Sequence, residues 1–328
     1  MTVNIALFND LDAVARDAGS ALDRARQASL YDRLDWFRLI HAHVPPPGDL
    51  AVWRARDGEK AAWLFLAVEG SKASAYTAWY SLRFNGIGDF DVMTPLAGAI
   101  RKSGIAELEL APLEDPEPLA AAFRAAGWRV RLTEKTGNWW VRTEGEDFTA
   151  YWGKRPGQLR STARRKAKAA GLEIEIFDRF DAAAWAAYEE VYQASWKPEE
   201  GSFPFLHALA EQEGAAGTLR LGVARKDGSP LAVQLWLVEN GEATIHKLAY
   251  REDAKELSPG TILGEAMFRR AIDRDRVRVI DYGTGDDAYK RDWMEERRPL
   301  WRLQAFNPGT LRGLAGAARA LAGRLRSR

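Results

Sequence analysis

Ten residues near the end of the chain, Asp281-Tyr282-Gly283-Thr284-Gly285-Asp286-Asp287-Ala288-Tyr289-Lys290, gather the Asp281 carboxylate, two phenols and an ammonium around a Gly-x-Gly loop. Removing a proton from an amine or hydroxyl and stabilising an oxyanion, the two tasks of acyl transfer, call for those groups. A loop that leaves a strand end is also where open α/β sheets take their ligands. The plainer reading of the same residues has Asp281 capping or pairing and Lys290 as a solvated helix charge. The Gly-x-Gly lacks the third glycine and the early chain position of a dinucleotide fingerprint.

Upstream, Leu257-Ser258-Pro259-Gly260-Thr261 joins a strand to a helix. The unpaired amides at a helix start carry positive potential, so Ser258, Pro259, Gly260 and Thr261 fit an anion or phosphate site, and equally a simple turn. His246 and Lys247 lie in the strand before it, where alternation sends their side chains to opposite faces. Lys247 interrupts an otherwise apolar run, while His246 reads as a packed residue as readily as a base. Ser195-Trp196-Lys197-Pro198 ends a helix and can wall a substrate groove. The run Lys154, Arg155, Arg160, Arg164, Arg165, Lys166 and Lys168 contains no acid. It suits a solvated face, or phosphates of CoA, tRNA or anionic lipid.

Composition removes other classes. Cysteine is absent from the 328 residues, which excludes disulfides, thiolate metal sites and a cysteine nucleophile, and fits a reducing cytoplasm. Of the four histidines only His41 and His43 lie close together, so no metal site is expected. A formal net charge of +1 gives no global reason for nucleic-acid binding. The start MTVNIALFNDLD lacks a basic n-region and an apolar core, so no signal peptide is expected. No window reaches the roughly 20 apolar residues of a membrane span. Thirteen tryptophans supply large rigid surfaces for a core or a groove.

Periodicity and turn chemistry predict the elements that must position these groups. In the first half they are a helix at 31–44 stopped by Pro45-Pro46-Pro47, strands at 51–56, 61–68 and 75–81, a helix at 94–102, a strand at 105–110, a helix at 117–126, and strands at 128–132 and 139–143. In the second half, helices are predicted at 159–170 and 182–196. Strands follow at 218–225, 230–239 and 243–250, split by Lys226-Asp227-Gly228 and by the hairpin signal Asn240-Gly241. A helix at 261–273, a strand at 277–282, a short helix at 287–294 and a strand at 300–306 complete it. Each half places strand, loop, helix, strand, helix and strand after an antiparallel meander. A duplicated α/β (α+β) fold accounts for both, with each lobe a mixed, mostly antiparallel sheet flanked by helices. The boundaries are expected at 1–146, 147–306 and 307–328.

The last segment carries Leu311, Leu314, Ala318, Leu321 and Leu325 on one seam, with Arg312, Arg319 and Arg326 beside it and no acid. This basic amphipathic helix docks on the body, frays, or adheres to an anionic membrane surface.

From the basic helix 159–171 through Ser195-Trp196-Lys197, His246-Lys247-Leu248-Ala249-Tyr250, Leu257-Ser258-Pro259-Gly260, Asp281-Tyr282-Gly283-Thr284-Gly285 and Tyr289-Lys290 to Trp293, the sequence resembles GNAT-fold acyltransferases of the CelD-like, cellulose-biosynthesis type. These are relatives of the FemAB-type aminoacyltransferases. The resemblance implies two tandem GNAT-like lobes, the first degenerate and the second catalytic. It implies acetyl-CoA or another acyl-CoA lying against Lys247 and Leu248, with its phosphates at Ser258, Pro259, Gly260 and Thr261. Lys290 would stabilise the tetrahedral intermediate, Asp281 act as base, and Tyr289 or Tyr282 protonate the leaving group, with Trp196, Lys197 and His246 toward the acceptor. The acceptor would be a small molecule or a saccharide precursor in cell-envelope polysaccharide biosynthesis, met in the cytoplasm or at the inner membrane face. Transfer from aminoacyl-tRNA, and a silent partner of a polysaccharide synthase, are the competing roles. One departure is plain: the family's loop carries Arg or Gln before Gly-x-Gly or Gly-x-Ala, and this loop reads Ser-Pro-Gly.

Overall fold

The computed structural model describes residues 3–326, with side chains described as far as residue 322, so the expectations placed on Leu325 and Arg326 lie outside the described side chains. In chain order the elements are β1 (Asn4–Phe8), α1 (Leu11–Ala18), α2 (Leu34–His43), β2 (Asp49–Asp57), β3 (Lys60–Glu69), β4 (Lys72–Ala75), β5 (Ile87–Gly88), α3 (Met93–Lys102), β6 (Glu107–Leu113), α4 (Glu117–Ala125) and β7 (Arg129–Arg142). There follow α5 (Phe148–Gly153), α6 (Gly157–Ala170), β8 (Glu173–Phe177), α7 (Ala182–Gln193), α8 (Phe203–Ala215), β9 (Leu219–Lys226), β10 (Ser229–Glu239), β11 (Glu242–Tyr250), α9 (Pro259–Arg269), β12 (Val279–Thr284), β13 (Glu296–Phe306) and α10 (Leu311–Arg326).

The chain divides into two compact units. One holds the residues up to Thr136 and those from Pro299 onward, the other Gly137–Arg298. The boundary expected near Gly145 therefore moves into β7, and the end of the chain returns to the first unit. The reason is strand pairing: the second half of β13 pairs antiparallel with β6, from Trp301↔Leu113 to Phe306↔Glu107.

In the first unit the sheet runs β1-β2-β3-β4-β6-β13, with β5 beside β3. All its neighbours are antiparallel except β4 and β6, which run parallel from Lys72↔Glu107 to Ser74↔Glu109. Leu96, Ala97 and Ile100 of α3 and Leu119, Ala120 and Phe123 of α4 bury one face of this sheet against Leu64, Leu66, Leu108 and Leu110.

The second unit repeats the plan with different residues. Its sheet runs from the second half of β7 through β12-β11-β10-β9-β8. The parallel pair is here β11 with β12, over Glu242↔Val279, Ala243↔Ile280 and Thr244↔Asp281. The β9–β10 and β10–β11 hairpins turn at Asp227-Gly228 and Asn240-Gly241, whose φ angles of 49°, 81°, 53° and 80° are those of tight hairpin turns. α9 lays Ile262, Leu263, Met267 and Phe268 on one face of the sheet, over Trp236 and Ile245. α7 begins at the capping carboxylate of Asp181 and buries Trp185, Tyr188, Val191 and Tyr192.

Some elements lack a clear periodic signal. α8 starts at Ser202, whose hydroxyl accepts from the Phe205 N–H at 3.1 Å, with Pro204 in the first turn. β1, α1 and β8 are short or terminal. β7 is one strand of 14 residues where two were expected.

Candidate functional site

The chemistry-bearing residues of the second unit meet where β11 and β12 part. The two strands run side by side for three residue pairs and then diverge. On β11 the register against β10 slips by one, from Trp236↔Ile245 to Leu235↔Lys247, which makes His246 the extra residue of a bulge. A bulge of this kind bends a strand and re-aims its side chains, so the simple alternation expected for His246 and Lys247 breaks here. Beyond the split, the edges of Lys247–Tyr250 and Gly283–Thr284 face a notch.

Lys247 projects onto Glu200 from the loop between α7 and α8, with Nζ 3.0 Å from each carboxylate oxygen. The Tyr192 hydroxyl also hydrogen-bonds Glu200, and the buried phenol is pushed well above its ordinary range, first by desolvation and then by that carboxylate. Lys247 is pulled down by burial, against the opposing pull of Glu200. His246 is buried and its pKa falls to about 3, by desolvation first and by the charge of Lys247 second, so the ring stays neutral.

Lys197 sits between two aromatic faces. Its Nζ is 6.0 Å from the centre of the Tyr192 ring and 5.8 Å from that of Trp196. Trp196, 46% exposed, packs in turn on Tyr250 with ring centres 4.1 Å apart. Unlike Lys247, Lys197 has no carboxylate within ion-pairing distance among the described residues. Desolvation and the neighbouring charge of Lys247, opposed by Glu200, bring its pKa down to about 8, with Lys290 adding to the fall. The charges of Lys247 and Lys290 thus both act on Lys197.

Lys290 is 4% exposed and not the solvated helix charge of the plainer reading. Its Nζ donates to the carbonyls of Thr284 at 2.6 Å and Gly285 at 3.3 Å, and lies 3.6 Å from Asp287. It tethers the Gly-x-Gly loop while its ammonium stands 5.5 Å from the Tyr282 ring. Tyr282 and Tyr289 meet edge to face at 5.7 Å and their hydroxyls are hydrogen-bonded. Burial holds both phenols above their ordinary range, so both stay protonated at neutral pH.

Asp281, expected as a candidate base, is engaged on both carboxylate oxygens. One carboxylate oxygen accepts from the Asn138 amide at 2.6 Å and the Gly283 N–H at 2.7 Å, and the other from Arg298 at 2.7 Å. A carboxylate so fully engaged fixes the start of the Gly-x-Gly loop and the two strands around it. Pairing was the plainer reading of this residue.

At the foot of the notch, Ser258 takes the left-handed conformation, φ 54° and ψ 45°, and hands the chain to Pro259 as the first residue of α9. No side chain caps this helix. Of its first-turn amides, Pro259 has none and Thr261 donates to the Ser258 carbonyl at 3.1 Å, which leaves the Gly260 N–H to meet an anion. A Cβ added at Gly260 would stand 3.0 Å from the Tyr250 ring, so glycine leaves a cradle there that a side chain would fill. Gln234 supports it from below, bonded to Trp236 at 2.8 Å and to the Gly260 carbonyl at 3.4 Å. Thr261 and Leu248 flank this region on α9 and β11.

The basic run divides in two. Arg155 is buried, bonds the carbonyl of Trp293 at 2.8 Å, pairs with Glu295 and lies 4.6 Å from the Tyr151 ring centre, so it is structural. Arg160, Arg164, Arg165 and Lys168 on α6 are exposed and form no ion pair among the described residues. Lys166 reaches the carbonyl of Glu256, which brings α6 beside the loop leading to α9.

Glu200, Tyr192, Asp287, Asn138 and Arg298 were missed by sequence reasoning. Only the acid pair Glu199-Glu200 carried any local signal, because their partners lie up to 160 residues away.

A sheet whose central parallel strands part over an uncapped helix start defines a GNAT-type acyltransferase fold. Residues 153–291 match the family model of the acetyltransferase (GNAT) domain, which makes this unit an acyltransferase domain. No curated protein matches the chain. Among solved structures, the chain is similar to a domain assigned as the C-terminal domain of a lysylphosphatidylglycerol synthetase from Agrobacterium fabrum, with a TM-score of 0.61, 19% identity and 95% of each chain covered. It is similar to FemX, with a TM-score of 0.58, 10% identity, and 83% of this chain and 96% of that one covered. A tandem GNAT protein from the clavulanic acid biosynthesis pathway gives 0.51 at 15% identity, over 92% and 98% of the two chains. At these identities the likenesses speak to the fold, and the tandem neighbour agrees with two lobes of one plan.

Proposed function

We propose that the second unit transfers an acyl group, in the notch between β11 and β12, from acetyl-CoA or another acyl-CoA to an amine or hydroxyl. The acceptor we infer is a cell-envelope or exopolysaccharide precursor, in keeping with the CelD-like resemblance. What carries the reading is the juxtaposition of the parted strands with Lys197, whose ammonium has no carboxylate partner and whose pKa is brought to about 8. Donor phosphates rest at the start of α9, on the Gly260 N–H beside the hydroxyls of Ser258 and Thr261, and the donor's chain follows β11 along Lys247 and Leu248, past its last pair with β12. The acceptor's nitrogen or oxygen attacks the carbonyl carbon and its proton passes to neutral Lys197, which replaces Asp281 as the base. The Lys290 ammonium, tethered to the loop carbonyls of Thr284 and Gly285, meets the oxyanion. The carbon–sulfur bond breaks, and the leaving thiolate takes a proton from the Tyr289 hydroxyl as the proton held on Lys197 passes on through solvent to restore the phenol.

A second reading has one observation in its favour. The unpaired cations of α6 lie beside the loop that leads to the donor helix, where they would suit an RNA-borne aminoacyl donor. A thermal-shift and native mass spectrometry screen against an acyl-CoA panel and charged tRNA separates the two. A bound acyl-CoA at a hundredfold over its Kd raises the apparent stability by about 2.7 kcal/mol. A shift with charged tRNA and none with any acyl-CoA overturns the proposed donor.

A further inference from the structure

In the first unit, α10 docks the opposite way from an ordinary amphipathic helix. Its buried face is made of small residues: Gly313, where a Cβ would stand 2.1 Å from the Asn307 carbonyl oxygen and 2.8 Å from that of Ala106, and Gly316, packed on Phe306 and Glu107. Arg312 bonds the Ser71 hydroxyl at 2.7 Å and Arg319 the Glu107 carboxylate at 3.2 Å, which fixes this orientation. The leucines face away. Leu311 is 87%, Leu314 49% and Leu321 62% exposed, three of the seven large apolar or aromatic side chains exposed among the described residues. At about 100° per residue, Leu311, Leu314, Ala318 and Leu321 fall within one sector about 80° wide, a row about 15 Å long.

An outward leucine row of this kind is costly in water and asks for a cover. The charge beside it says which. From Pro308 to the end the chain carries five arginines and no acid. Arg319 is held by Glu107, but the segment as a whole stays cationic, so a second copy would set like charge against like, whereas an anionic lipid surface attracts that charge as it takes up the leucines. No helix among the described residues is long and apolar enough to cross a membrane, so the geometry is that of a helix lying in the surface. We propose that α10 is a membrane-surface anchor that inserts Leu311, Leu314 and Leu321 among the lipids of an anionic bilayer, with its small-residue face still holding the body of the first unit.

Co-sedimentation of the full chain with vesicles tests this. Binding is expected to phosphatidylglycerol–phosphatidylcholine vesicles, to fall with added salt, and to be absent on phosphatidylcholine alone. The double variant Leu314→Glu/Leu321→Glu changes only exposed positions, and an unchanged thermal melting curve checks its fold. It should partition roughly tenfold more weakly or worse. The control Arg164→Glu/Arg165→Glu on α6 should leave most of the binding in place. Wild-type binding by the leucine variant, loss of binding in the α6 variant alone, or no binding to anionic vesicles overturns the proposal. So does a concentration-dependent dimer in lipid-free solution that the leucine variant dissolves.

Discussion

Lys247 and Glu200 form a buried ion pair, Nζ 3.0 Å from each carboxylate oxygen, with side chains 10% and 1% exposed. It ties the bulged strand β11 to the loop that carries Trp196 and Lys197, and so holds one wall of the notch. Removing one member of such a pair leaves a charge in a dry place. Glu200→Gln should cost about 3 kcal/mol in urea unfolding, while Lys247→Met/Glu200→Leu should recover most of that loss. A Glu200→Gln protein as stable as the wild type would show the pair to be idle.

Lys197 should set the basic limb of catalysis. With its pKa near 8, the neutral amine that accepts a proton is the minor form at pH 7 and dominates above pH 8, so activity should rise through that range. Lys197→Arg keeps the charge and cannot serve as base near neutrality. Its kcat should fall about a hundredfold or more with little change in donor KM. An arginine variant with near-normal kcat would remove Lys197 from the chemistry and leave it a positioning role.

Asp281 should behave in the opposite way. Asp281→Asn loses the charged bond to Arg298 and should lower stability by about 2 kcal/mol while the pH–rate profile of the residual activity keeps its limb near pH 8. Disappearance of that limb in the asparagine variant would restore Asp281 as the base.

His246 predicts an acid-side loss of stability. The folded protein holds the ring neutral down to about pH 3, whereas the unfolded chain takes up a proton below about 6.5. Nothing is lost above pH 6.5. Between pH 6.5 and 3 unfolding is increasingly favoured, by about 2 kcal/mol at pH 5. His246→Gln should flatten that share of the decline, and denaturant midpoints of the two proteins at pH 7 and 5 measure it. An identical decline in both would mean that the ring is protonated in the folded state.

Gly260 should govern the donor. In Gly260→Leu the new side chain meets the Tyr250 ring and covers the start of α9, so donor KM should rise at least tenfold. Calorimetric titration with acyl-CoA reads the same loss directly, and unchanged affinity would place the donor's phosphates elsewhere.

The elements of the notch were legible because their signals are local. Asn240-Gly241 turns a hairpin through the φ angles that residue pair tolerates, and the apolar spacing of Ile262, Leu263 and Met267 makes one face of α9 whatever it packs against. The duplicated plan followed from the order of such elements. The bulge at His246 was hidden, because a slip in register belongs to two strands and shows in neither one alone. Glu200 was hidden as well, since nothing near it in the chain says that an ammonium 47 residues away will need a counter-charge.

The classes of element, the turn that opens α9 and the residue types gathered around Gly283 and Gly285 were set by the local order of the chain. These depend on backbone preference and short-range periodicity. Tertiary structure alone decided which polar group is engaged and which is available. Asp281 is engaged by Asn138 and Arg298, Lys290 is tethered to the carbonyls of its own loop, and Lys197 holds its ammonium between the Tyr192 and Trp196 rings. It also turned the leucines of α10 outward, where periodicity alone could name an apolar face but not its direction. Protonation and availability are set by desolvation and by neighbours distant in the chain, and those exist only once the chain has folded.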